Sequence, residues 1–125
     1  MIKLTILGEP FSKANSRKLV KFGNRPASIK SSGALQYEKS AIMQIPDSAK
    51  QMLTDPVAVT MRIYYASQRK DLDESLILDC LQSKKSNGEI VRRGVYVNDR
   101  QVREKHIYHF IDKACPRAEI EVRTI

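Results

Sequence analysis

The sequence predicts an α+β domain: a small, mainly antiparallel or mixed β-sheet with helices packed on one face. Three observations point there. Apolar residues alternate with polar ones in "IKLTILG" (2–8) and "PVAVTMRIYYAS" (56–67), the pattern of half-buried strands. They change to helical spacing in "SGALQYEKSAIMQI" (32–45) and "DLDESLILDCLQSKK" (71–85). Extended patterning returns at the end, giving the order strand, loop, helix, strand, helix and two strands.

The first strand stops at Gly8. Residues 9–33 combine Pro, Gly, Ser and Asn with Lys13, Arg17, Lys18, Lys21, Arg25 and Lys30, which predicts a long basic loop holding a short hairpin at 18–22. A loop of this length is uncommon unless it is functional. In 32–45, Leu35, Ile42 and Ile45 recur with Tyr37 and Ala41 at helical spacing, and Pro46 ends the helix. Val57, Val59, Met61 and Ile63 alternate with Ala58, Thr60 and Arg62 in the clearest strand of the chain. Leu72, Leu76 and Cys80, with Ile77 and Leu81, lie four apart in the second helix, which "SNGE" (86–89) stops. A basic link, "IVRRG", leads to "VYVNDRQVREK", a short strand and a turn. The strands "HIYHFID" (106–112) and "AEIEVRTI" (118–125), joined through "KACPR", complete the domain.

With 125 residues the chain forms one domain, residues 1–125. Its 42% hydrophobic and 29% charged content is that of a globular protein. The charge balance is unusual: 22 Lys and Arg against 14 Asp and Glu give +8, with a pI near 9.7. That calls for a polyanionic partner, nucleic acid or an acidic membrane. No apolar run approaches the roughly 18 residues of a membrane span, and the N-terminal apolar stretch is too short for a signal peptide. Nucleic acid is the favoured partner and membrane binding is not expected. Cys80 sits in an apolar run and Cys115 precedes Pro116, so both read as reduced thiols of a cytoplasmic protein. Without Trp, a base-stacking platform is weakly supported.

Against that basic background, "RKDLDES" (69–75) sets two carboxylates beside two cations. One reading is structural: Asp71 as N-cap, Glu74 at the third helical position as a capping box, and Asp73 favouring the helix dipole. The other is a metal site. The segment joins a strand to a helix, and "VNDRQV" supplies another acid, Asp99, after a second extended run. Arg69, Lys70, Arg92, Arg93, Arg100 and Arg103 flank the acids. Bare carboxylates repel DNA phosphates, whereas a divalent cation turns them into an attraction. Mg²⁺ suits such oxygen ligands, and Mn²⁺ can take the same set. Asp79 reads as a helix residue or a fourth acid near the site. His106 and His109, three apart in a strand, face opposite sides and cannot chelate one ion.

"RKDLDES", "VNDRQV" and "GEPFSKANSRK" together resemble the RusA-type Holliday-junction resolvases across most of the chain. The resemblance implies a RusA-like nuclease fold and a homodimer that nicks a four-way junction symmetrically. It implies Asp71, Asp73 and Asp99 as catalytic Mg²⁺ ligands, with no nucleotide cofactor. Lys13, Asn15, Arg17, Lys18, Lys21, Arg25, Arg69, Lys70, Lys84, Lys85, Arg92 and Arg93 become the expected DNA contacts, and Asn15 is matched to the family's loop. Cytoplasmic action at the nucleoid is expected, for a bacterial or a phage-encoded protein. The chain departs from the pattern in three places. Glu74 stands where the family has Asn, Ile77 stands where it has a catalytic lysine, and "KKSNGEIVRRG" lengthens the stretch between Asp73 and Asp99. In a helix reaching residue 85, Lys84 lies roughly 16 Å from Asp73 along the axis, too far to replace that lysine. Two other functions fit the residues: a non-enzymatic basic DNA-binding module, and a nuclease for flaps, forks or duplex.

Overall fold

The computed structural model describes residues 1–10, 17–23, 25–30, 32–68 and 72–125, with the backbone alone for Arg17–Phe22 and Arg25–Lys30. Among these residues the strands are β1 (Ile2–Leu7), β2 (Arg17–Phe22), β3 (Arg25–Lys30), β4 (Val57–Tyr65), β5 (Lys84–Ser86), β6 (Glu89–Arg92), β7 (Val102–Ile111) and β8 (Arg117–Thr124). The helices are α1 (Ser32–Gln44) and α2 (Ser75–Leu81), with 3₁₀ turns at Asp47–Ala49 and Asp99–Gln101.

The main sheet is mixed, in the order β1-β8-β4-β7. β4 pairs antiparallel with β8 and parallel with β7, while β1 pairs antiparallel with β8. β4 holds the middle because its alternating residues are the most apolar: Val57, Val59, Met61 and Ile63 are fully buried. Ile2, Leu4 and Ile6 from β1, with Ala118, Ile120 and Val122 from β8, extend the same face. α1 covers it with Ala34, Tyr37 and Ala41, and α2 with Leu76, Ile77, Leu78 and Leu81. The predicted α+β architecture with helices on one face is therefore the observed one. Parallel strands need a long crossover, and here α2 and the β5–β6 hairpin lie within it.

Several local expectations are corrected. The basic stretch 9–33 contains a longer hairpin than predicted, with β2 paired to β3 from Arg17↔Lys30 to Phe22↔Arg25. The second helix spans Ser75–Leu81 and not 71–85. Glu74 occupies its N-cap position without a side-chain capping bond, so the expected capping box with Glu74 at the third helical position does not form. Lys84 and Lys85 lie on β5 of a hairpin turning at Asn87 and Gly88, whose φ values of 52° and 80° belong to the left-handed region. The estimate of Lys84's distance along a helix axis therefore does not apply. The final strand pair also starts earlier than predicted, since β7 begins at Val102.

Candidate active site

The site is organised by residues 94–96, which run along the exit of α2. Val95 donates its N–H to the Leu81 carbonyl at 2.7 Å, and Ser83 donates to the Tyr96 carbonyl at 2.9 Å. The Gly94 N–H donates to Ser83 Oγ at 2.9 Å. Only glycine fits at 94: a Cβ would meet Leu81, Gln82 and Ser83 backbone atoms at 2.5 Å. The buried Tyr96 hydroxyl donates to the Leu78 carbonyl at 2.8 Å. Burial, reinforced by the negative charges of Asp99 and Asp79, holds its phenol well above the ordinary tyrosine range, so it stays a neutral donor.

This clamp delivers Asp99 to the end of α2. Its N–H donates to Gln82 Oε1 at 3.0 Å. The 3₁₀ turn is fixed from both sides: Asn98 Oδ1 accepts from the Arg100 N–H, and Gln101 Oε1 from the Asn98 N–H. Gln101 Nε2 also donates to the Leu53 and Asp55 carbonyls.

Asp73 lies at the other end of α2. Its Oδ1 accepts the Ser75 N–H at 2.9 Å, and its own N–H approaches the Tyr65 hydroxyl at 3.4 Å. The ring of Tyr65, the last residue of β4, stacks with His109 at 5.9 Å between centroids. The next acid, Glu74, pairs with Lys105 Nζ at 3.1 Å. Lys105 is opposite the fully buried Val59 in the sheet register, so it rises from the helix-covered face at the β7 edge. Ile77 is 0% exposed and belongs to the core. A lysine there would be buried away from any DNA.

Between α1, the exit of α2 and the β5–β6 hairpin is a cavity of about 430 Å³. Lys84, Lys85 and Arg92, expected separately as DNA contacts, all line it, with Gln82, Ser83, Glu38 and Asp79. Arg93 is exposed beside Arg92. The structure thus joins three expected cations to the residue that holds Asp99. Lys13, Asn15, Arg69, Lys70 and Asp71 lie outside the described residues, as do the side chains of Arg17, Lys18, Lys21 and Arg25. His106 meets Glu104 at 3.0 Å and His109 lies on the opposite sheet face.

The donors suit a hard cation in kind, since Asp73 and Asp99 offer oxygen alone. In number, no three His, Cys, Asp or Glu among the described residues group closely enough to hold a metal ion. Asp71, the remaining carboxylate of the expected set, is outside that description. Sequence reasoning missed Gln82, Glu38 and Lys105. Of these only Lys105 left a signal, as a cation in phase with Ile107 on a strand face that is otherwise partly apolar.

The fold is a basic α+β domain in which Asp73 and Asp99 stand at opposite ends of α2 and a cationic cavity opens at the helix exit. The profile of the endodeoxyribonuclease RusA family matches residues 8–123. The chain belongs to that family, which makes it a DNA nuclease by descent. No curated protein matches it in sequence. No helix among the described residues is long and apolar enough to cross a membrane.

Proposed function

We propose that the chain is a Mg²⁺-dependent, structure-selective endonuclease that resolves Holliday junctions by paired, symmetric nicks in DNA recombination and repair. The observation that carries the reading is the family match, which spans residues 8–123 and contains Asp73, Asp99 and the basic hairpin. Asp71, Asp73 and Asp99 would hold the ion, and Mn²⁺ would serve in its place. When bound, the ion supplies Lewis-acid polarisation of the phosphate and a more acidic water.

The chain's own residues have separable tasks. Gln82 and the 3₁₀ turn fix the backbone of Asp99, and the Ser75 N–H fixes Asp73 at the α2 entrance. Lys84, Lys85, Arg92 and Arg93, with the cations of 13–25 and 69–70, attract phosphate and set the register of a branched duplex. A four-way junction is close to two-fold symmetric, so paired nicks call for two sites related by a dyad, which a homodimer supplies.

The test is a labelled four-way junction, with and without Mg²⁺, with cuts mapped on every strand. Symmetric cuts in opposed strands that need the metal are expected. Asp73→Asn should bind the junction normally and cut it at least about a hundredfold more slowly. Equal cutting of flaps and plain duplex would assign the chain to a different nuclease habit. Undiminished cutting by Asp73→Asn would remove the metal assignment. The second reading, a binding module without catalysis, draws on the net charge of +8 and on the buried Ile77 standing where the resemblance places a catalytic lysine. It predicts junction binding with no cleavage under any metal.

A further inference from the structure

We infer that Arg92 and Lys84 form a seat for a single DNA backbone phosphate, registered against Asp99 through Gln82; this rests on the endonuclease reading. Arg92 Nη2 donates to the Gln82 carbonyl at 2.8 Å, which fixes the guanidinium at the cavity. Its Nε is buried and meets no acceptor among the described residues. Glu38 and Asp79 share the cavity, and its three cations, Lys84, Lys85 and Arg92, outnumber these two carboxylates.

A second observation is independent of the first. In the β5–β6 register Lys84 lies directly opposite Arg92, with a bulge between Lys84 and Lys85. Like charges facing across a strand pair repel. An anion between them would relieve the repulsion. Arginine and lysine around an oxyanion make short, charge-assisted bonds to phosphate. At about 430 Å³, the cavity admits a phosphodiester with its sugar.

The connection to Asp99 gives the seat its purpose. Gln82 holds Arg92 with its carbonyl and Asp99 with its side-chain oxygen. A phosphate seated on Arg92 is therefore held at a fixed offset from a proposed metal ligand, so the seat sets which neighbouring phosphate enters the site.

The test compares native protein with Arg92→Gln and Arg92→Lys on a fixed junction, measuring Kd from low to moderate salt. Arg92→Gln should weaken binding about tenfold and reduce the slope of log K against log salt by about one. Arg92→Lys should keep the slope and lose part of the affinity. Single methylphosphonates scanned along the junction should reveal one position that weakens the native protein but costs Arg92→Gln nothing further. Millimolar inorganic phosphate should raise the melting temperature of native protein and not of Arg92→Gln. An unchanged slope and Kd in a folded Arg92→Gln would overturn the seat, as would additive losses at every methylphosphonate. If the native protein neither cuts nor binds junctions, the endonuclease reading falls, and the phosphate shift alone then decides the seat: its absence overturns it too.

Discussion

The Asp99 N–H donates to the side-chain oxygen of Gln82, the residue that follows α2, at 3.0 Å. Removing the acceptor leaves a half-buried amide unsatisfied at the point where the 3₁₀ turn meets the helix. Gln82→Ala should lower stability by about 1 kcal/mol. The effect on nicking should be larger, because a displacement of about 1 Å at a reacting centre costs up to about a hundredfold. Single-turnover cleavage with parallel measurement of junction affinity checks this. A cleavage loss matched by an equal loss of affinity would count against Gln82 as the anchor of Asp99.

Gly94 should tolerate no side chain. A Cβ would lie 2.5 Å from the Gln82 carbonyl carbon, the Leu81 oxygen and the Ser83 nitrogen, all of them backbone atoms. Gly94→Ala must part the two segments and break the bonds of Val95 to Leu81 and Ser83 to Tyr96. A loss of about 3 kcal/mol in urea unfolding is expected, together with the loss of nicking as Asp99 detaches. Native-like stability would show that residues 94–96 do not clamp the helix exit.

Restoring the family's lysine should fail. Ile77 is fully buried between α2 and the sheet. Ile77→Lys would place an unpaired ammonium there, at a cost above about 4 kcal/mol, and should not raise cleavage. Ile77→Met, which keeps volume and polarity, should cost less than about 1.5 kcal/mol. Thermal melts of both variants make the comparison. A stable Ile77→Lys that cuts faster would mean that the helix can turn this position outward.

The parts of the fold that were legible are those buried on one side. β1, α1 and β4 carry a period of 2 or 3.6 because each turns one face to the same core. The second helix was over-extended because Gln82, Ser83 and Lys84 suit a polar helix face. It stops at Leu81 where the chain at 94–96 takes over hydrogen bonding, and no nearby residue encodes that contact. The β5–β6 hairpin left little periodic trace, since nearly all its residues are exposed. Its turn signal, Asn87-Gly88, was nonetheless present. The pairing of Lys105 with Glu74 was not legible. It depends on β7 lying parallel beside β4, a long-range arrangement that no local pattern specifies.

Asp112 should contribute to stability above its titration range and lose that contribution in acid. Its Oδ2 accepts from Arg117 Nη1 at 2.8 Å, and its Oδ1 accepts from the N–H groups of Ala114 and Cys115. The bond from Arg117 above all holds the carboxyl below its ordinary value of 3.8. The folded pKa lies below the unfolded one, so the contribution is complete above about pH 4 and disappears as pH falls through the lowered folded value. Asp112→Asn should therefore be less stable than native protein at neutral pH, and the difference should shrink below pH 4. Melting curves across that range decide it. A difference that stays constant with pH would mean that packing, and not ionisation, sets the role of Asp112.

Lys105 and Glu74 should matter more to cleavage than to stability. The pair is close, at 3.1 Å, yet Lys105 is 46% exposed, so water and salt screen the attraction. A double-mutant cycle of Lys105→Gln and Glu74→Gln should give a coupling below about 1 kcal/mol, falling further at high salt. The same pair lies one residue from Asp73, where losing the ammonium would leave Glu74 uncompensated beside incoming phosphate. Lys105→Gln should therefore slow nicking, and Glu74→Gln in the same chain should recover part of the rate. Rates measured across the cycle at saturating junction test the point. If the second substitution brings no recovery, Lys105 does not act on cleavage by neutralising Glu74.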